Sequence, residues 1–105
     1  MPVLNVNDAS FKEELSSNNK VVVKYYADWC GSCKLIAPKF RRFSDDERFT
    51  GIKFLEVNAE EQEQARKVAG VDNLPFFAVF ANGELVKGTA TSKEEKIIEL
   101  ISLLK

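Results

Sequence analysis

Cys30 and Cys33 are the only cysteines in this 105-residue chain, and with two residues between them their sulfurs can close one disulfide. They lie in Trp29-Cys30-Gly31-Ser32-Cys33-Lys34. Upstream, Val21-Val22-Val23-Lys24-Tyr25-Tyr26 is β-branched and aromatic over the length of a strand; downstream, Ile36, Phe40 and Phe43 recur at helical spacing. The pair therefore opens a helix where a strand ends. Amides of a helix's first turn have no intrahelical partner, and together with the helix dipole they favour a thiolate at Cys30. An ordinary cysteine titrates near ~8.5, but one at a helix N-terminus in a Cys-X-X-Cys pair falls to roughly 3.5–7.5, which makes it a nucleophile at neutral pH.

Other uses of such a pair fit less well. Structural zinc takes four ligands, chiefly Cys and His, and this chain has no histidine and no third cysteine. A purely structural disulfide closing so short a loop restricts the unfolded chain little. A cluster or copper site shared by two chains, each giving two thiolates, stays open. Cycling between dithiol and disulfide is the use that a CxxC beside a βαβ pattern favours, and no metal is expected.

The length suits one domain over residues 1–105. Fifteen Lys plus Arg against sixteen Asp plus Glu give a net charge of −1, which supplies no field for nucleic acid or an anionic membrane. No apolar run approaches the ~18 residues of a membrane span. Met1 to Asp8 lacks a basic segment followed by an apolar one. A cytoplasmic protein is expected.

Periodicity orders the remaining elements around the cysteine pair. A short strand at Val3–Val6 precedes a helix capped by Asn7 or Asp8 that buries Phe11 and Leu15, and Ser16-Ser17-Asn18-Asn19 ends it. The strand at Val21–Tyr26 leads into the cysteine helix, which is predicted to run to about Phe49 with a kink at Pro38. A third strand covers Ile52–Val57. A short helix over Glu60–Ala69, with Ala65, Val68 and Ala69 apolar, is stopped by Gly70. Asn82-Gly83 between Phe76–Ala81 and Glu84–Lys87 is the preferred type I′ turn of a hairpin. Ser92-Lys93-Glu94-Glu95 has the form of a capping box ahead of a helix with Ile97, Leu100, Ile101 and Leu104 on one face. The order is βαβαβαββα: parallel strands joined by right-handed crossovers plus one antiparallel hairpin, which needs helices on both faces of a mixed five-stranded sheet. The expected fold is a three-layer α/β/α sandwich with the cysteines at the C-terminal end of a central strand, where sites on open α/β sheets gather.

Over essentially its whole length the chain resembles the thioredoxin family. Ala27-Asp28-Trp29-Cys30-Gly31-Ser32-Cys33-Lys34 is similar to that family's redox signature, Leu74-Pro75 to its cis-proline loop, and Asn82-Gly83-Glu84 to the hairpin that follows. The resemblance implies a thioredoxin-like fold in which Cys30 is the exposed attacking thiol, Cys33 the buried resolving thiol, and cis-Pro75 stands beside the disulfide. It implies that Trp29, Leu74, Pro75 and Gly88 form an apolar surface for an extended segment of a partner. Without it, Leu74-Pro75 would be read as trans, since only about 5–6% of X-Pro bonds in folded proteins are cis. The implied activity is reduction of disulfides in partner proteins by a monomer that needs no cofactor of its own and is recharged by a separate reductase of the thioredoxin reductase type. A non-catalytic binding module on the same fold, or a net oxidase or isomerase differing only in reduction potential, are the alternatives.

Two departures from the family pattern stand out. Ser32 occupies the middle position where the family usually has Pro, next to Gly31. Lys24 and Glu56 occupy the positions where the family commonly has a buried Asp and, on the neighbouring strand, a Lys. Each is also the charge that interrupts an otherwise apolar central strand. An unpaired buried charge is too costly to keep, so a Lys24–Glu56 pair beneath the cysteines is expected, the other possibility being exposure at a strand end.

Overall fold

The computed structural model describes residues 3–105. Its elements are β1 (Leu4–Asn5), α1 (Asp8–Ser17), β2 (Lys20–Tyr26), α2 (Gly31–Ser44), β3 (Lys53–Asn58), α3 (Glu63–Ala69), β4 (Phe76–Ala81), β5 (Glu84–Ala90) and α4 (Glu94–Ser102), with one 3₁₀ turn at Glu47–Phe49. The strands form a single mixed sheet in the order β1-β3-β2-β4-β5. The central strand β2 runs parallel to β3 and antiparallel to β4, so α2 begins where β2 emerges from the middle of the sheet.

Alternation along β2 builds a core on each face. Val21, Val23 and Tyr25 pack with Phe11 of α1 and with Ala65 and Ala69 of α3. Val22 packs with Ile36 and Phe40 of α2 and with Ile97 and Ile101 of α4. The Phe40 ring lies 5.1 Å from that of Phe54 and 5.4 Å from that of Phe77. Full burial of one such ring contributes roughly 1.5–3 kcal/mol; here it also fixes α2, and hence the cysteines at its start, against the sheet.

Several local signals act as their chemistry predicts. Asn7 caps α1, accepting from the Ser10 amide at 2.8 Å while Ser10 Oγ accepts from the Asn7 amide at 3.0 Å. Gly70 ends α3 in the left-handed conformation at φ 65°. Asn82 and Gly83 both have positive φ, 53° and 83°, as a type I′ turn requires.

Elsewhere the boundaries move. The ladder of β1 is confined to Leu4–Asn5. The cysteine helix stops at Ser44, not near Phe49, because Asp46 starts a separate turn by accepting from the Arg48 amide at 2.9 Å. Helix α3 begins at Glu63 rather than Glu60, since Asn58 draws the chain into a turn: its carbonyl takes the amides of Glu61 and Gln62, and its side chain takes that of Glu60. Val68 is half exposed, so the buried face of α3 is Ala65 and Ala69. The expected capping box at Ser92 does not form. Thr91 Oγ1 takes the Lys93 amide at 3.0 Å, and Lys93 stands at the cap with no side-chain bond. Strand β5 continues past Lys87 to Ala90, with a bulge opposite Val79 and Phe80.

Candidate active site

Cys30 is the N-cap of α2, held there by the turn in which its amide donates to the Ala27 carbonyl at 3.1 Å. The Cys33 amide donates to Cys30 Sγ at 3.2 Å. Ser32 Oγ lies 3.7 Å from the same sulfur. Cys30 and Cys33 form a disulfide with Cα atoms 5.3 Å apart, inside the usual range of roughly 4.4–6.8 Å. Fractional exposure does not separate the two: Cys30 is 4% exposed and Cys33 3%, so the expected contrast of an exposed and a buried thiol is absent from the disulfide form, in which each sulfur covers the other. Their surroundings do separate them. Cys30 follows Trp29, which is 68% exposed, whereas Cys33 lines a solvent-open pocket with Lys24 and Glu56.

The Ser32 contact has a measurable consequence. A thiolate at Cys30 gains from a hydroxyl and a backbone N–H at position 32, and proline would offer neither. Stabilising that thiolate favours the dithiol form, so Ser32→Pro should make the couple more reducing by some tens of millivolts, about 30 mV corresponding to roughly 1.4 kcal/mol. Equilibration with glutathione reads the shift; no change, or a more oxidising couple, contradicts the role given to Ser32.

Beside the disulfide the Leu74–Pro75 bond is cis. Pro75 is buried. Half-buried Leu74 packs with Tyr26 against the cluster of Ala27, Cys30 and Cys33. Gly31 is exposed, and a Cβ there would meet open space. Gly88 lies on β5, two residues before Ala90, which pairs with Phe76. It pairs with Ala78, while the Pro75 carbonyl takes the amide of Thr91 at 3.1 Å. A Cβ on Gly88 would lie 2.7 Å from Cε1 of Phe76, so the missing side chain makes room for that ring. Gly88→Ala is therefore expected to lower stability by about 1–3 kcal/mol, as overpacking does, while leaving the redox potential near that of the parent; a neutral effect in urea unfolding contradicts the packing role.

Lys24 and Glu56 are neighbours in the β2–β3 register, and Lys24 Nζ lies 3.1 Å from Glu56 Oε2. The Lys24 side chain is 4% exposed and that of Glu56 26%, so the pair is real and the lysine end is buried. The ammonium also stands over the rings of Tyr26 and Phe40, at 5.6 and 5.7 Å. Burial pushes the Lys24 pKa below its ordinary value; Glu56 opposes that shift and Arg41 adds to it.

Three further residues at the site escape sequence reasoning. Glu60 accepts from Trp29 Nε1 at 2.8 Å and orients the exposed indole. Asn5 Nδ2 donates to Tyr26 Oη at 2.8 Å and lies 3.5 Å from Glu56 Oε1. All these contacts depend on strand register and loop placement, which no local pattern reveals.

A dithiol/disulfide pair at a helix N-terminus, on the central strand of this sheet and beside a cis-proline, defines a thiol-disulfide exchange protein. The Thioredoxin family model matches residues 2–103, and the chain belongs to that family. It is 34% identical to Thioredoxin-1 of Schizosaccharomyces pombe over 96 residues, 90% of this chain and 91% of the relative. It is 31% identical to a thioredoxin of Mycoplasma pneumoniae, covering 86% of this chain and 87% of that one. The solved thioredoxin of Plasmodium falciparum superimposes with a TM-score of 0.90 at 29% identity, covering 98% of this chain and all of the other. The protein is a thiol-disulfide oxidoreductase that reduces disulfides in partner proteins through the Cys30–Cys33 couple. Members of the family act on disulfide-bearing substrates and are reduced by thioredoxin reductase. Among the described residues no helix is long and apolar enough to cross a membrane.

Proposed function

We propose that Cys30 attacks and Cys33 resolves. The observation that carries this assignment is the cap geometry: Cys30 Sγ, not Cys33 Sγ, receives a first-turn amide of α2, at 3.2 Å, and an N-terminal amide stabilises a thiolate. The Cys30 thiolate attacks one sulfur of a partner disulfide and expels the other as a thiolate. Cys33, once deprotonated, attacks Cys30 Sγ; the Cys30–partner bond breaks and the second partner sulfur leaves with the electron pair. Two thiols of this chain are thereby oxidised to a disulfide, and the partner's disulfide is reduced to two thiols.

Trp29, Leu74 and Pro75 form the surface against which an extended partner segment rests. The exposure of Trp29 and its tether to Glu60 suit it to dock a partner rather than to fill the core. Gly88 keeps to packing. Each turnover removes two electrons, so a reductase of the thioredoxin reductase type must restore them, and the two sulfurs complete the exchange without a cofactor. The protein works as a monomer in the cytoplasm, where such a reductase can reach it.

The test is catalysis of disulfide reduction in a disulfide-linked test protein, with dithiothreitol as donor. The reduced chain should accelerate the reaction well above dithiothreitol alone. Two titratable thiols with no acceleration would favour a binding module on the same fold.

A further inference from the structure

Helix α3 is seven residues long, and the residue at its own N-cap, Gln62, makes no side-chain bond to it. A helix so short is not stable alone, and its first amides need acceptors from elsewhere. Asp8, the first residue of α1, supplies them: Oδ1 accepts from the Ala65 amide at 2.8 Å and Oδ2 from the Gln64 amide at 3.4 Å. The exchange is mutual, because Gln62 Oε1 accepts from the Asp8 amide at 2.8 Å. The box of Asn7 and Ser10 already caps α1, so the Asp8 carboxylate goes to the other helix. This clasp joins residues 54 to 57 positions apart. Between Asn58 and Gln62 the chain makes the turn that carries Glu60; Asn58 holds the near end of that turn and the clasp holds its far end. Glu60 in its turn accepts from the Trp29 indole at 2.8 Å. A run of bonds thus leads from the start of α1 to the exposed ring beside Cys30.

We propose that Asp8 and Gln62 are positioning residues for partner docking: by fixing the start of α3 they fix the turn that presents Glu60, and through Glu60 they hold the indole in the orientation a partner meets. This rests on the reading of Trp29 as a docking residue. Neither Asp8 nor Gln62 touches the cysteines. Trp29 is 68% exposed, so little packing restrains the ring, and the bond to Glu60 is what orders it before a partner arrives. An indole left to sample several rotamers must be ordered at the moment of binding, which weakens docking by about two- to tenfold. The chemistry at Cys30 and Cys33 is untouched, so the effect falls on partner binding and not on the exchange step.

Two measurements test this. Trp29 is the only tryptophan in the chain, so time-resolved fluorescence anisotropy of the reduced protein reads the motion of its ring without a label. In the parent the ring should tumble with the whole molecule. Glu60→Ala should add a fast component, and Asp8→Ala should add one too, although residue 8 lies far from residue 29 in the chain. Asp8→Asn keeps an oxygen for the Ala65 amide and should hold the ring as the parent does. The second measurement is reduction of a disulfide-linked test protein: Asp8→Ala should raise KM about two- to tenfold with kcat unchanged, and Asp8→Asn should restore the parent KM. A cap that served stability alone would move neither readout in a chain that stays folded. If Asp8→Ala does not fold, Gln62→Ala removes only the return bond, leaves the carboxylate on α3, and should also release the ring. A ring as still as the parent's in Asp8→Ala, or in Gln62→Ala where that variant replaces it, overturns the positioning role. A ring released in Glu60→Ala with KM unchanged overturns instead the docking role of Trp29.

Discussion

Cys33→Ser will turn the protein into a covalent trap. Once Cys30 has attacked a partner disulfide, only a thiol at position 33 can displace the partner at intramolecular rate, because the Cα atoms lie 5.3 Å apart and the two sulfurs reach bonding distance without moving the helix. A serine hydroxyl is not a nucleophile toward sulfur at neutral pH. The mixed disulfide should persist through denaturing, non-reducing electrophoresis and dissolve on addition of dithiothreitol. Cys30→Ser should hold no partner, since Cys33 is buried and lines the pocket of Lys24 and Glu56, to which Trp29 does not contribute. The expected difference is nearly all or none. Trapping by Cys30→Ser with none by Cys33→Ser would reverse the two roles.

The second large effect is on stability. Glu56→Gln leaves the Lys24 ammonium, 4% exposed, without its counter-charge, and breaking a buried pair in this way costs about 3–5 kcal/mol. Lys24→Met should cost less, about 1–3 kcal/mol, because the Glu56 side chain keeps 26% exposure and water can solvate what is left. The double change to Met at both positions should recover much of the loss, as replacement of buried ion pairs by apolar side chains often does. Urea unfolding of the four chains gives the coupling energy directly. Strictly additive losses contradict a coupled pair.

Where a signal was local, it could be read from the residues alone. Cys30 at a strand-to-helix junction, Gly70 after a short helix, and Asn82-Gly83 between two apolar runs each restrict a few neighbouring dihedrals, and the structure has them as expected. Lys24 and Glu56 were legible for another reason: a charge in the middle of an apolar strand demands a partner, and two such charges on neighbouring strands supply one another. Ser92 shows the limit of local reading. Its capping pattern is intact, but the chain enters α4 one residue later, with Lys93 at the cap and its amide turned to the Thr91 hydroxyl. Glu60, Asn5 and Tyr26 show another, since their contacts at the site join residues 31, 51 and 21 positions apart and exist only once the sheet register and the loop after β3 are set. The cis state of Leu74–Pro75 was implied by family resemblance and by no property of the dipeptide.

Whether the Cys30–Cys33 couple reduces protein disulfides is decided by its equilibrium potential against glutathione. A thioredoxin stands at about −270 mV and glutaredoxins at about −200 to −230 mV. With Ser32 stabilising the dithiol, a value of about −270 to −230 mV is expected. A potential of about −120 to −180 mV would make the protein a net oxidase or isomerase, and one below about −300 mV would mark an inert structural disulfide; either result contradicts a reductant role for the couple.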